Sequence, residues 1–500
     1  MRSPSATPNE TLLKSGRISK AFETPSILMI LRAIRRQEYS RANSTHYSKP
    51  VNIAEELRKV LGEQATIIID PSVLPSYSRD QSQIAKNGNP AAVLLAKNEA
   101  EIALTLKFAY SNSIPVVARG AGSGLSGGAN ATDGAIVISL EKMNQIIEVD
   151  TANLIARVEP GVINIELDKE VSKYSLAYLP DPASREWSTI GGNVATNAGG
   201  MCCVKYGVTA QHVRAIRMVT SDGSIVELGS PLKKSVTNLD LLHLIVGSEG
   251  TLGIITEITV GLAVRPKPAT TLIATFASID AAMKAVPELV ALAPSMLEVV
   301  DATTLRAVEE WKPLGFEGVG TVLLMQSDES LEICAKGVEI AEKHGAIDAT
   351  YSDDPKDSAE LIAVRKLAYP ALERKGAALL DDVCVPISQI SKLVTEVEKI
   401  ASETGLLIGI FGHAGDGNMH PTIVYNHGDA DAEAKAIAAF NQIIKVAQDL
   451  GGTASGEHGI GSIKLESAHR ESGEKIIELQ RAIKKVFDPK GILNPGKKIP

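Results

Sequence analysis

Apolar and polar positions follow two styles along this chain, and the style changes near residue 265. After Pro50, IAEELRKVLG sets Ile53, Leu57, Val60 and Leu61 on one helical face and stops at Gly62. Short apolar runs follow: TIIID at 66–70, AAVLLA at 91–96, PVVAR at 115–119, AIVISL at 135–140 and IARVEPG at 155–161. Turn residues close each of them, which predicts strands, and one further helix is expected over 99–111 before Gly120. This half therefore reads as α+β with closely spaced strands. VRPKPAT, with Pro266 and Pro268, reads as a link between domains. Beyond it, helical patterns at 278–292, 330–345 and 390–405 alternate with strands such as TVLLMQ and LLIGIFG, predicting an α+β cap domain with an antiparallel sheet. FDPKGILNPGKK is rich in turn residues and too polar for a core strand. The expected division is an N-terminal extension over 1–48, a first domain over 49–265, a cap over 266–483 and a tail over 484–500.

Five hundred residues, 44% hydrophobic and 22% charged, leave room for two or three domains and an enclosed cofactor. A net charge of −8 and 4% aromatic residues exclude a nucleic-acid footprint. Cys202, Cys203, Cys334 and Cys384 form no CxxC, so no iron–sulfur cluster or zinc ribbon is written here, and they read as reduced thiols. No apolar run approaches the roughly 18 residues of a membrane span. Residues 1–48 carry Arg17, Lys20, Arg32, Arg35, Arg36 and Arg41 among serines, against Glu10, Glu23 and Glu38. That bias resembles a transit peptide or a surface-seeking segment around 26–41; a disordered or over-extended start is the plainer reading. The expected location is cytoplasmic, peripheral to a membrane at most, or mitochondrial in a eukaryote.

Three glycine-rich segments carry the first chemistry. Arg119, Gly120, Ala121, Gly122, Ser123 and Gly124 begin a run to Gly128 in which Gly122, Gly124 and Gly127 satisfy GxGxxG. A dinucleotide fold needs a helix after that loop, yet a strand arrives by Ala135, so the loop is expected to bind phosphate as a nest of backbone N–H groups, with Arg119 as an added charge. The second segment holds Pro180, Asp181, Ser184, Thr189, Gly191, Gly192, Asn193, Asn197, Gly199 and Gly200. Its glycines let the main chain approach a planar ligand, while Thr189, Asn193 and Asn197 supply polar partners. The third runs from Gly247 through Glu249 and Gly250 to Gly253, leading into Ile254 and Ile255.

A histidine constellation carries the second. LLIGIFG leads into His413, a Gly415-Asp416-Gly417 turn, Asn418 and His420, then PTIVY. This reads as a β-hairpin, and a turn centred between Asp416 and Gly417 sets His413 directly opposite His420. Two imidazoles on one face suit a single metal, and Glu457, in the glycine-flanked GEHG, is the candidate third ligand. That set favours zinc, manganese or ferrous iron over calcium or magnesium.

Taken together, the chain from about 50 to 500 resembles the FAD-linked D-2-hydroxy acid dehydrogenases, the D-lactate dehydrogenase and glycolate oxidase group within the vanillyl-alcohol-oxidase and p-cresol-methylhydroxylase (PCMH) superfamily. The resemblance implies a two-subdomain PCMH-type FAD-binding domain plus a cap, with the 484–500 tail returning to the FAD domain. It implies pyrophosphate on 119–124, isoalloxazine against 181–200, and ring contacts from 250–254 and Asn494. His413, His420 and Glu457 match metal ligands, His458 a general base, Asn418 a substrate-side residue and Arg365 a clamp on the substrate carboxylate. Relatives with covalent flavin carry histidine where Ser123 stands, so non-covalent FAD is expected. Tyr369 and Leu380 stand where the 2-hydroxyglutarate enzymes place a threonine and a lysine, which argues for D-lactate or glycolate. The alternatives are D-2-hydroxyglutarate dehydrogenation, a same-fold ether-lipid synthase without net redox change, a non-catalytic flavin subunit, or a zinc hydrolase. An electron-acceptor protein is expected as partner, an iron–sulfur subunit, electron-transfer flavoprotein or cytochrome; quinone or oxygen are the other acceptors, and a homodimer is allowed.

Overall fold

The computed structural model describes residues 52–500. The expectations for the basic N-terminal segment lie outside the described residues. The helix Ile53–Leu61 and a second one, Glu99–Asn112, form as their patterns predict, the latter capped by the Asn98 side chain accepting from the Glu101 N–H. They flank β1 (Thr66–Ile68), β2 (Ala92–Leu95), β3 (Val116–Arg119) and β4 (Ile136–Ser139), a sheet in the order β1-β2-β4-β3. β3 and β4 run parallel, register Val117 to Val137, and the glycine-rich segment joins them without a helix.

The chain then adds β5 (Ile146–Asp150), β6 (Ile155–Val158), β7 (Leu176–Ala177), β8 (Val213–Val219), β9 (Ile225–Gly229), β10 (Ile254–Gly261) and β11 (Ala263–Val264). β5, β6, β8, β9 and β10 make an antiparallel sheet in the order β5-β6-β10-β8-β9, and β7 pairs with β11. β6 stops before Pro160, which has no N–H to offer a ladder, so the strand is shorter than its apolar run. Besides three single-turn helices, Cys203–Tyr206, Thr209–His212 and Leu242–Ile245, two longer helices in this half follow no pattern in the sequence. Asn164–Ser172 is one turn-rich amphipathic stretch, and Ile190–Thr196 lies inside the second glycine-rich segment, held by a Thr189 cap rather than by propensity.

The third sheet is wholly antiparallel. It contains β12 (Thr270–Phe276), β13 (Met296–Asp301), β14 (Thr321–Ser327), β15 (Asp348–Ser352), β16 (Ala377–Leu380), β17 (Val383–Cys384), β18 (Leu407–His413) and β19 (Asn418–Tyr425), in the order β15-β12-β14-β13-β18-β19-β16 with β17 also on β19. Helices cover both faces, so its strands read as unbroken apolar runs. Leu297, Val299, Leu323, Ile408, Ile410 and Met419 pack one way with the helices Ile390–Thr404 and Ala430–Asp449. Met296, Val300, Val322, Phe411 and Val424 pack the other way with Ala302–Trp311 and Ala363–Glu373. By strand alternation, Glu298, His413, Asn418 and His420 interrupt this second, otherwise apolar face. Among the described residues no helix is long and apolar enough to cross a membrane.

Candidate active site

The β18–β19 hairpin corrects the expected register. His413 pairs with Asn418, and His420 with Phe411. The turn is centred one residue earlier than expected, because Gly417, at φ +89°, packs against the Val385 carbonyl and starts the return strand sooner. Moving the centre by one residue moves the register by two, and side chains alternate with period two, so both histidines keep the same face. They meet diagonally: the Nε2 atoms are 3.3 Å apart and the rings nearly perpendicular. Glu457 Oε1 lies 3.5 Å from His413 Nε2 and 3.4 Å from His420 Nε2.

These three donors thus face one point, and the set of two imidazoles and a carboxylate fits a divalent metal. The three groups are electrostatically coupled. Burial and the neighbouring His413 depress His420 to about 3, leaving it neutral. Glu457 is held down at about 2: burial opposes its charge, but His413 and His420 overcome it. His413, although burial disfavours its charge, is raised well above an ordinary imidazole by Glu298 and Glu457. The buried Asn418 Oδ1 and His420 Nδ1 have no hydrogen-bond partner among the described residues.

His458 stacks on His420, ring centroids 5.2 Å apart and planes within 11°. Its loop is pinned from three distant points of the chain. Asp382 accepts from the N–H of Glu457 and His458 and from Ser455 Oγ. Glu249 accepts from the N–H of Ile460 and Gly461, and Ser126 Oγ is 2.9 Å from the carbonyls of both His458 and Gly459. Asp382 is fully buried; despite that, His458 and Lys464 hold its carboxyl well below the usual range. No sequence pattern marked Asp382 or Ser126.

Arg365 lies on the helix Ala363–Glu373, its guanidinium 4.7 Å above the Phe411 ring. Nε donates to Glu298 at 2.6 Å, and the Nη groups have no acceptor among the described residues. No local pattern marks Glu298, which stands between apolar residues in the strand MLEVVD.

Glu457 and His458 stand at one end of a large cavity. Its walls include Arg119, Gly120, Ala121, Gly122, Ser123, Gly124, Ser184, Gly191, Gly192, Asn193, Gly199, Glu249, Gly250, Gly253, Ile254, Ile255 and Asn494. Pro180, Asp181, Thr189, Asn197 and Gly200 do not line it; they form the layer behind. Thr189 Oγ1 accepts from Gly192 N, Asn197 Oδ1 accepts from Ala210 N, and the Pro180 carbonyl accepts from Asn164. Asp181 accepts from Cys202 N, its pKa pushed up to about 6 by burial, and its backbone occupies the space a Cβ on Gly200 would need. Arg119 lines the cavity; its guanidinium lies against Gly122 of the loop, where a Cβ would collide with it, and donates to the carbonyls of Ser76 and Arg79.

The walls fit a flat, polar-rimmed cofactor. A Cβ on Gly191 would fall 2.5 Å from Pro160, so that wall is backbone. Asp80 Oδ2 and Asn494 Oδ1, on residues that line it, are buried and have no hydrogen-bond partner among the described residues. Asn494 Nδ2 donates to the Glu249 carbonyl at 2.6 Å, which ties the C-terminal tail to this wall.

Residues 90–229 match the FAD binding domain model, and residues 265–498 match the model described as FAD linked oxidases, C-terminal domain. The chain belongs to the FAD-linked oxidase family. It is 38% identical to the glycolate oxidase subunit GlcD of Bacillus subtilis (strain 168), covering 82% of this chain and 88% of that one. It is 36% identical to a D-lactate dehydrogenase of Anaerostipes hadrus, covering 86% and 94%. A p-cresol methylhydroxylase structure shares the fold at a TM-score of 0.75 with 17% identity, covering 89% of this chain and 96% of that one. As a member of the FAD-linked oxidases, the protein is an FAD-dependent oxidoreductase with a PCMH-type FAD-binding domain and an antiparallel cap.

Proposed function

We propose that this FAD-linked oxidase oxidises a short D-2-hydroxy acid, D-lactate or glycolate, to the 2-oxo acid. The observation that carries the reading is that Glu457 and His458, adjacent in the chain, join a two-histidine metal set to the wall of the FAD cavity. The relatives named glycolate oxidase and D-lactate dehydrogenase agree with it. Bound there, FAD supplies the acceptor for the hydride from the substrate Cα, and a divalent zinc, manganese or ferrous ion supplies a Lewis acid for its hydroxyl. His413, His420 and Glu457 would hold the ion. His458 takes the hydroxyl proton as general base, its ring oriented by stacking on His420. Arg365 offers its two Nη groups to the substrate carboxylate, and Asn418 faces the same space from β19.

For a short substrate, the support is the ground beneath Arg365. Tyr369, one turn along the helix, and Leu380 both pack into the apolar cluster that contains Phe411. The Tyr369 hydroxyl donates to Glu373 at 3.5 Å, so the group beside it is an acid and not a partner for a distal carboxylate. Non-covalent FAD follows from Ser123 on the phosphate loop. Electrons leave to a protein or quinone acceptor, the chain having no cluster cysteines of its own.

The test is anaerobic stopped-flow reduction of the bound flavin with a panel of D- and L-2-hydroxy acids. D-lactate or glycolate should bleach it fastest. Much faster reduction by D-2-hydroxyglutarate overturns the substrate assignment, and no bleaching by any 2-hydroxy acid overturns the reaction.

A further inference from the structure

Glu298 sits at the centre of β13 with its side chain wholly buried. An ionised carboxylate there is costly unless each oxygen is compensated. Both are: Oε1 is 2.6 Å from His413 Nδ1, and Oε2 accepts from Arg365 Nε at 2.6 Å. One carboxylate therefore spans two groups that lie 48 residues apart in the chain and belong to different tasks.

The geometry points to Glu298 as a positioning residue that couples the metal set to the substrate clamp. The inference rests on the reading of His413 as a metal ligand and Arg365 as the carboxylate clamp. On the imidazole side, a carboxylate at Nδ1 holds the proton there and leaves the Nε2 lone pair facing His420 and Glu457, where an ion would sit. On the guanidinium side, fixing Nε, with the Phe411 ring beneath, sets the plane in which the two Nη groups point. A change at either partner is felt by the other through the shared carboxylate.

Glu298→Gln keeps the shape but cannot accept at both ends, since its amide nitrogen donates. Mn²⁺ is titrated into chelator-treated, FAD-loaded protein, with free Mn²⁺ followed by electron paramagnetic resonance. The dissociation constant is expected to rise about 10- to 100-fold in the variant. At saturating Mn²⁺, KM for D-lactate should still rise several-fold more than kcat falls, with flavin content unchanged. An unchanged Mn²⁺ dissociation constant, or an unchanged KM at saturating metal, overturns the inference, even if the variant melts at a lower temperature. Should Glu298→Gln not yield folded flavoprotein, the zinc-loaded wild type is read by ¹⁵N-histidine NMR, with His413 assigned through its loss in His413→Asn. Protonation at Nδ1 with Nε2 on the metal supports the inference; metal at Nδ1 overturns it. A different result, in which the wild type binds no Mn²⁺ and its flavin reduction ignores chelators, removes the metal reading itself.

Discussion

At the residue scale, the division of work between His458 and its neighbours is sharp enough to test one side chain at a time. His458→Gln should slow flavin reduction by D-lactate about 10²–10⁴-fold, the usual worth of a general base, while leaving flavin and metal content as in the wild type. Stopped-flow rates with elemental analysis check both halves, and a loss of metal would mean that the ring is a ligand instead. Substrate length is the second residue-scale question. Leu380 and Tyr369 line the apolar ground near Arg365, so Tyr369→Thr with Leu380→Lys should raise kcat/KM for D-2-hydroxyglutarate relative to D-lactate by at least tenfold. An unchanged ratio would place the far end of the substrate elsewhere. His413, His420, Glu457 and His458 stand out in the sequence because they sit among glycines and apolar strands, whereas Arg365, beside Lys366 on a helix, is marked only by the family resemblance. Glu298, Asp382 and Ser126 do not stand out. Each looks ordinary in its local sequence, and its meaning comes from partners 67 to 333 residues away.

At the scale of elements, β13 shows how a polar group is placed by a strand that is otherwise core. It ends in Asp301, fully buried, which caps the helix Ala302–Trp311 by accepting from Thr304 N. Burial pushes its carboxyl up to about 6 from 3.8, against the hydrogen bonds that favour its charge. The folded state then holds more protons than the unfolded state between about pH 4 and pH 6, so this group's contribution to stability falls as pH rises through that window. Asp301→Asn does not titrate. Its melting temperature relative to the wild type should climb between pH 4 and pH 6 and level off above, a swing on the order of 3 kcal/mol at about 1.4 kcal/mol per pH unit. A flat difference across that range in differential scanning calorimetry would sink the assignment. Elements with regular period were readable: the first two helices, the strands β1 to β4, β6 and β14, and the β18–β19 hairpin. The helix Ile190–Thr196 was not, because two glycines oppose it and tertiary contacts with the Pro160 backbone sustain it.

At the scale of the whole molecule, the His413, His420 and Glu457 cluster meets the cavity through the loop at 455–461, which is tied on one side to Asp382 and on the other to Glu249 and Ser126. Two removal experiments address the two cofactors separately. Chelation with EDTA should slow flavin reduction at least tenfold, reversibly on adding Mn²⁺ or Zn²⁺, while the flavin absorbance stays; an EDTA-insensitive rate counts against the metal. Cold acid precipitation should release all yellow colour into the supernatant, and colour kept in the pellet would mean a covalent bond. The sequence by itself determined the types of the strongly periodic elements, the glycine-lined backbone, the presence of a turn after β18 and the kinds of donor available, since each depends on period, φ or side-chain chemistry within a few residues. Tertiary structure alone decided the hairpin's register, which residues reach the cavity and which stand behind it, and how Glu298 joins His413 to Arg365. Those outcomes depend on packing between distant strands, where a shift of two residues keeps every side chain on its face yet changes its partner.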